Sequence, residues 1–178
     1  MSPANAPGPA GRSCVTIRPL VSSPALRTLR TSAVESATPS SRPGTLGVII
    51  AQGGSFNGWS LYAKDGKLKY CYNVLGIKLF YAESDEAIPA GQHQVRMEFK
   101  YDGGGLAKGG NALLYLDGKK AGEGRVGITV PMLFSADETC DIGKATGSAV
   151  SPDYDAKDNE FSGTGSEIRC RRPDRLMV

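Results

Sequence analysis

Apolar and polar residues alternate along much of the middle of the chain, from about residue 46 to residue 134. The clearest stretch runs from residue 58 to residue 72, GWSLYAKDGKLKYCY, and is centred on Asp65 and Gly66. Asp-Gly suits a two-residue type I′ turn, because both central residues of that turn need positive φ. The stretch therefore predicts a β-hairpin. The predicted cross-strand pairs are Ala63 with Leu68, Leu61 with Tyr70, and Trp59 with Tyr72.

The two faces of this hairpin differ in polarity. Successive side chains of a strand point to opposite faces of its sheet. We expect one face on a core and the other in solvent, as in many antiparallel sheets. The apolar face consists of Trp59, Leu61, Ala63, Leu68, Tyr70 and Tyr72. The mostly polar face consists of Ser60, Tyr62, Lys64, Lys67, Lys69 and Cys71.

Further strands are predicted on both sides of the hairpin. Residues 46–51, 77–83 and 93–101 are the first three, and residues 112–123 form a second hairpin on Asp117-Gly118. Residues 126–134 and 137–142 add short strands, and residues 143–163 are expected to form a long ordered loop or meander. Many short strands with closely spaced turns predict an all-β antiparallel sandwich or barrel. The expected core contains Trp59, Leu61, Tyr70, Val95, Met97, Phe99, Leu114 and Leu116.

The two ends of the chain differ from its middle in charge. Residues 46–168 hold 10 Lys and 2 Arg against 16 Asp and Glu, a net charge of −4, whereas the flanks are Arg-rich and carry +7. The basic pI therefore gives no reason to expect a nucleic-acid surface. Residues 1–45 are interpreted as a disordered leader, as foreign translated sequence or as a transit peptide. No secretory signal or membrane-spanning stretch is found, which favours the cytoplasm.

Few residues invite a chemical role. His93, the one histidine, begins a strand beside two glutamines and is expected to be solvated, with no nucleophile or acid grouped around it. The glycine-rich residues 102–110 lack the ending of a phosphate-binding loop and are expected to be a flexible connection. The spacing of the four cysteines fits no zinc or redox motif, so free thiols are expected. These are Cys14, Cys71, Cys140 and Cys170.

Two kinds of ligand remain open. Tyr62 and Tyr115 are predicted on the wet face of the sheet, where aromatic rings can stack on sugars. Loop acids could supply oxygen ligands for calcium, although their spacing fits no EF-hand loop. They are Asp137, Glu138, Asp141, Asp153, Asp155, Asp158 and Glu160. No residue is assigned as catalytic, cofactor-binding or metal-binding.

Several segments resemble, in the same order, the C-terminal region of long bacterial arylsulfatases. They include GVIIAQGGSFNGWSLYAKDGKLKYCYN, IPAGQHQVRMEFKYDGGGLAKGG and LYLDGKKAGEGRV, and the similarity runs from about residue 47 to residue 163. The resemblance implies a concanavalin- or laminin-G-like jelly roll that packs on a sulfatase catalytic domain. The calcium and formylglycine of that family belong to its catalytic domain, and no catalytic residue is carried over to this chain. Residues 37–42, ATPSSR, nearly match the sulfatase signature, in which a Cys or Ser is oxidised to formylglycine. Ala37 takes the place of that Cys or Ser and has no oxidisable side chain.

Three regions and two functions follow from these observations. Residues 1–45 form the leader, residues 46–163 the sandwich, and residues 164–178 an irregular basic tail. The family's opening and closing strands have no alternating counterpart here, so one or two terminal strands are expected to be missing. The first predicted function is an accessory domain of a sulfuric-ester hydrolase, inactive alone. The alternative is an autonomous, lectin-like carbohydrate-binding module.

Overall fold

The computed structural model describes residues 28–36, 47–131, 140–162 and 164–171. These residues form ten β-strands and no helix. The strands are β1 (Thr28–Ser36), β2 (Gly47–Gly53), β3 (Gly58–Lys64), β4 (Lys67–Val74), β5 (Lys78–Ala87), β6 (Gly91–Tyr101), β7 (Gly110–Leu116), β8 (Lys119–Val126), β9 (Cys140–Ile142) and β10 (Thr164–Arg171). Predictions on residues 1–27, 37–46, 132–139, 163 and 172–178, among them those for Cys14, Asp137 and Glu138, lie outside the described residues.

One antiparallel sheet bends over on itself to make the sandwich. Its strand order is β10-β1-β6-β7-β8-β5-β4-β3-β2-β9. β5 and β8 are joined by only two paired positions, Glu83 with Glu123 and Ser84 with Gly122. This narrow junction separates two five-stranded halves, whose inner faces meet. The predicted all-β antiparallel sandwich is therefore confirmed.

Both predicted Asp-Gly hairpins are present. Asp65 and Gly66 have φ values of 53° and 77°, and Asp117 and Gly118 have values of 51° and 79°. Positive φ at both central residues is what a type I′ turn requires. The register of the first hairpin is as expected, with Ala63 opposite Leu68, Leu61 opposite Tyr70 and Trp59 opposite Tyr72.

The main core lies between the two halves of the sheet. The Tyr72 ring on β4 stacks on the Phe99 ring on β6, with centroids 6.4 Å apart. This contact brings opposite halves together and removes apolar surface from water. Seven of the eight predicted core residues are buried, and Leu116 is half-buried against the same cluster. The core prediction is confirmed.

The flanking sequences supply strands, contrary to expectation. β1 pairs with β6 on one side and with β10 on the other. The free edge of an 11-residue strand such as β6 offers a row of backbone donors and acceptors. Backbone pairing of this kind does not need strict alternation in the added strand. Strand β1 thus lies within the predicted leader, residues 1–45, and strand β10 lies within the predicted tail, residues 164–178. The origin of the flanks remains a matter of prediction.

A second buried cluster covers the face of the central hairpin that was predicted to be wet. Residues 143–162, the covering segment, lie across this face. Ser60, Tyr62 and Cys71 are completely buried there. The prediction of a solvated face is wrong at these positions, because a loop takes the place of water. The lysines at the edge of the cover remain partly exposed.

Candidate functional site

A polar depression opens where the covering segment meets β4 and β5. It has a volume of about 330 Å³ and is lined by Lys69, Tyr81, Ala82, Glu83 and Asp153. Lys69 and Glu83 face each other across β4 and β5. Asp153 comes from the covering segment, so the depression exists only because that segment is folded onto the sheet.

The covering segment is held in place by a buried asparagine. Asn159 accepts a hydrogen bond at Oδ1 from the backbone N–H of Ala145, at 2.7 Å. Its Nδ2 group donates to the carbonyl oxygens of Ala145, Asp155 and Ala156, at 3.1, 2.8 and 2.9 Å. The segment is therefore an ordered loop, as predicted, and it presents Asp153 at a fixed position.

Two carboxylates and three ammonium groups form a connected network around the depression. Lys69 Nζ lies 2.9 Å from Glu83 and 3.7 Å from Asp153. Lys67 approaches Glu83 to 3.1 Å, and Lys64 approaches Asp153 to 3.3 Å. Each carboxylate thus has two cationic partners. A network of this kind fixes long side chains that would otherwise move freely.

The pKa values of this network follow from its hydrogen bonds and burial. The hydrogen bond between Lys69 and Glu83 raises the pKa of the lysine and lowers that of the glutamate. Burial raises the pKa of Asp153, but the hydrogen bond from Tyr62 and the charge of Lys64 outweigh it. The pKa of Asp153 therefore lies below its ordinary value. Lys69, Glu83 and Asp153 are therefore charged at neutral pH.

Beneath the depression lies a row of hydroxyl groups and one thiol. The Tyr62 hydroxyl donates to Asp153 Oδ2 at 2.6 Å. The hydroxyl oxygens of Tyr62 and Tyr81 each lie 3.4 Å from Ser151 Oγ. Burial raises the pKa of the Cys71 thiol to about 12. Cys71 is therefore protonated at neutral pH and is a poor nucleophile, so this arrangement favours binding over nucleophilic chemistry.

The two predicted ligand-binding tyrosines do not line this depression. Tyr62 is completely buried, so the prediction that its ring is exposed is wrong. Tyr115 is half-buried, and the guanidinium group of Arg96 lies 3.7 Å from its ring centroid, which occupies one ring face. The exposed ring at the depression belongs to Tyr81, with 42 % of its surface accessible.

Sequence reasoning missed Tyr81 because the alternation in β5 is irregular. Leu79, Phe80 and Tyr81 are three successive apolar residues, so the sequence does not show which of them shares a face with Lys69. The pairing of β4 with β5 is regular from Val74 with Lys78 to Lys69 with Glu83, and it places Tyr81 opposite Cys71.

His93 is not solvated, contrary to the prediction. Its Nδ1 atom lies 2.7 Å from Asp117 Oδ2, and Asp117 Oδ1 accepts a hydrogen bond from the backbone N–H of Gln94. The hydrogen bond with His93 lowers the pKa of Asp117. This pair ties the β7–β8 turn to the start of β6, so we give His93 a structural role.

Two of the described loop acids, Asp141 and Asp155, have other partners than a metal ion. Asp141 Oδ2 accepts hydrogen bonds from the backbone and hydroxyl of Thr146, both at 2.7 Å. Asp155 accepts one from the backbone N–H of Lys157. Within residues 28–36, 47–131, 140–162 and 164–171, no three His, Cys, Asp or Glu side chains come together as a metal site.

Comparison with known proteins finds a likeness among solved structures. No protein-family model matches the chain, and no curated protein matches it. Among solved structures it is similar to the native heptameric SAP-like pentraxin from Limulus polyphemus, with a TM-score of 0.41 and 15 % sequence identity over 84 % of this chain. The chain spans 65 % of the pentraxin's length. None of the described residues lies in a helix that could cross a membrane.

Proposed function

We propose that this domain is a carbohydrate-binding module and that the depression between β4, β5 and the covering segment is its binding site. The observation that carries the proposal is the exposed ring of Tyr81 beside charged groups held by one another. A sugar presents both C–H faces, which pack on an aromatic ring, and hydroxyl groups, which need polar partners. Tyr81 provides the first kind of contact, and Lys69, Glu83 and Asp153 provide the second.

The size and order of the site support this assignment. A volume of about 330 Å³ is near the lower end of small-molecule sites and suits one or two sugar units. The polar groups are fixed before a ligand arrives, because the ion pairs and Asn159 hold them. Preorganised partners lose little conformational freedom on binding, which favours affinity.

The test is a saccharide-binding screen with the full chain, followed by calorimetry on the best ligand. Tyr81→Ala is expected to weaken binding about tenfold, because an aromatic contact contributes about 1 to 1.5 kcal/mol. Tyr115→Ala is the matched control and is expected to bind as the wild type does. Absence of binding to any saccharide would overturn the proposal. Equal losses for both tyrosine variants would also overturn it.

The other predicted function, an accessory domain packed on an arylsulfatase catalytic domain, stays a prediction. No comparison with known proteins supports it. Translation of the DNA upstream of the chain in all three frames tests it. A sulfatase catalytic reading frame with an oxidisable Cys or Ser in its nucleophile motif is the expected result, and its absence would favour the autonomous module.

A further inference from the structure

Three large apolar side chains are exposed on two neighbouring turns at one end of the sandwich. Phe56 lies between β2 and β3 and is 68 % exposed, and Leu75 and Ile77 lie between β4 and β5 and are 40 % and 85 % exposed. The backbones of the two turns nearly touch, since a Cβ atom on Gly76 would lie 3.1 Å from the carbonyl oxygen of Ser55. Phe56, Leu75 and Ile77 together are called the apolar tip.

The apolar tip is built on a fixed backbone. Asn73 is buried, and its Nδ2 group donates hydrogen bonds to the carbonyl oxygens of Ser55 and Val150, at 2.9 and 3.0 Å. Its Oδ1 atom accepts a hydrogen bond from the backbone N–H of Gly76, at 2.9 Å. One buried side chain thus connects both turns and the covering segment. The three apolar side chains are presented together and are not at the ends of independent loops.

Leu75 has an unfavourable backbone conformation for its residue type. Its φ is 54°, and that of Gly76 is 68°. The backbone N–H of Ile77 donates to the carbonyl oxygen of Val74 at 2.9 Å and closes a type I′ turn. Asn, Asp and Gly are the usual residues at the position of Leu75, because they tolerate the left-handed region. Neither turn preference nor burial accounts for a leucine there.

The charges around the apolar tip also set it apart. The segments that form this end, residues 52–58, 73–79 and 145–150, contain no Asp or Glu and a single charged residue, Lys78. Residues 46–168 as a whole carry a net charge of −4. Three side chains also offer far less area than the roughly 800 Å² that each partner buries in a stable protein–protein interface. A small apolar surface beside one basic residue suits the boundary between lipid headgroups and acyl chains, because the apolar side chains can contact the acyl chains while the basic residue contacts the phosphates.

We propose that the apolar tip inserts into the interfacial region of an anionic phospholipid bilayer. Phe56, Leu75 and Ile77 contact the part of the acyl chains next to the headgroups, and Lys78 lies at the level of the headgroup phosphates. The partner is a lipid surface, and the proposal does not depend on the saccharide site, which has different residues. A membrane and a saccharide could be bound by the same molecule.

The test is co-sedimentation of the full chain with vesicles of phosphatidylcholine, with and without phosphatidylserine. The wild type is expected to sediment with the phosphatidylserine vesicles. The double variant Phe56→Ser/Ile77→Ser is expected to lose at least about tenfold in affinity for the vesicles. Each substitution removes apolar surface that the lipid buries in the bound state. Lys78→Gln is expected to lose about fivefold on these vesicles only.

Two further variants separate this role from general stickiness and from misfolding. Leu106→Ser removes a side chain that is 69 % exposed but lies outside the tip, and it is expected to bind as the wild type does. Leu75→Asn relieves the backbone conformation, so it is expected to raise the melting temperature and yet weaken vesicle binding. A wild type that remains in the supernatant would overturn the proposal. Equal losses for Leu106→Ser, or sedimentation-velocity evidence that the tip joins two copies of the chain, would do the same.

Discussion

The buried hydroxyl group of Tyr62 donates a hydrogen bond of 2.6 Å to Oδ2 of Asp153, a residue 91 positions further along the chain. This contact joins the central hairpin to the covering segment and fixes one wall of the depression. Asp153 also forms ion pairs with Lys64 and Lys69. The same hydrogen bond therefore supports both the position of the covering segment and the candidate site.

Tyr62→Phe tests that dependence directly. The variant keeps the ring and removes only the hydroxyl group, which leaves a partly buried carboxylate with one donor fewer. We expect the free energy of unfolding to fall by about 1–3 kcal/mol, measured by urea denaturation. Tyr115→Phe on the outer face of β7 is the control and should change it by less than about 0.5 kcal/mol. An unchanged free energy of unfolding in Tyr62→Phe would contradict the role given to this hydrogen bond.

The stability of the protein at acidic pH should depend on the same network of charged side chains. The pKa values of Glu83 and Asp153 are lowered in the folded protein. Their contribution to stability is therefore complete above the unfolded-state values of about 4 and is lost as the pH falls through the lower folded-state values. We expect stability to decrease as the pH falls below about 5. The measurement is thermal unfolding from neutral to acidic pH.

A matched variant assigns this acid dependence to the site. Asp153→Asn cannot gain or lose a proton, so its unfolding temperature should fall less steeply with decreasing pH than that of the wild type. Asp155→Asn, at an exposed loop position of the same segment, should follow the wild-type curve. If Asp153→Asn follows that curve as well, the pH dependence comes from other groups.

The core between the two halves of the sheet gives a prediction of known size. Phe99 is buried and stacks on Tyr72 from the opposite half. Phe99→Ala should lower the free energy of unfolding by about 3–5 kcal/mol, because it removes the ring and leaves a cavity. Chemical denaturation measures it, and a loss below about 1 kcal/mol would place Phe99 at the surface.

The narrow junction between β5 and β8 gives a separate prediction. A Cβ atom on Gly122 would collide with the backbone carbonyl of Glu83, its neighbour across the junction. Gly122→Ala is therefore expected to separate β8 from β5 and to lower the melting temperature clearly. Lys119→Ala, at an exposed position on the same strand, serves as the control. Equal melting temperatures for these two variants would show that the junction is not close-packed.

The sequence predicted the hairpins and the core because both depend on short-range patterns. Asp65-Gly66 sets its own turn, and the period of two then places Trp59, Leu61 and Tyr70 on one face. The burial of Tyr62 was missed because it depends on residues 151–154, whose own sequence has no periodic pattern. β1 was missed for a similar reason, since its partner β6 supplies the backbone hydrogen bonds.

The candidate site was predictable only in part. Lys69 was placed correctly on the polar face of the hairpin, but its partners Glu83 and Asp153 come from two other segments. Tyr81 stands opposite Cys71, but the three successive apolar residues 79–81 give no alternation that would show which of them faces the site. Contacts between distant segments determine such a site, and one sequence does not reveal them.

The most direct measurement of the central claim is an NMR titration of the isotope-labelled full chain with the best saccharide from the binding screen. Backbone amide signals of Lys69, Tyr81, Glu83 and Asp153 are expected to shift together and to saturate with a single dissociation constant. The amides of Arg96 and Tyr115, on the other half of the sheet, should not move. Saturating shifts around Tyr115 with none around Tyr81 would contradict the proposed carbohydrate site.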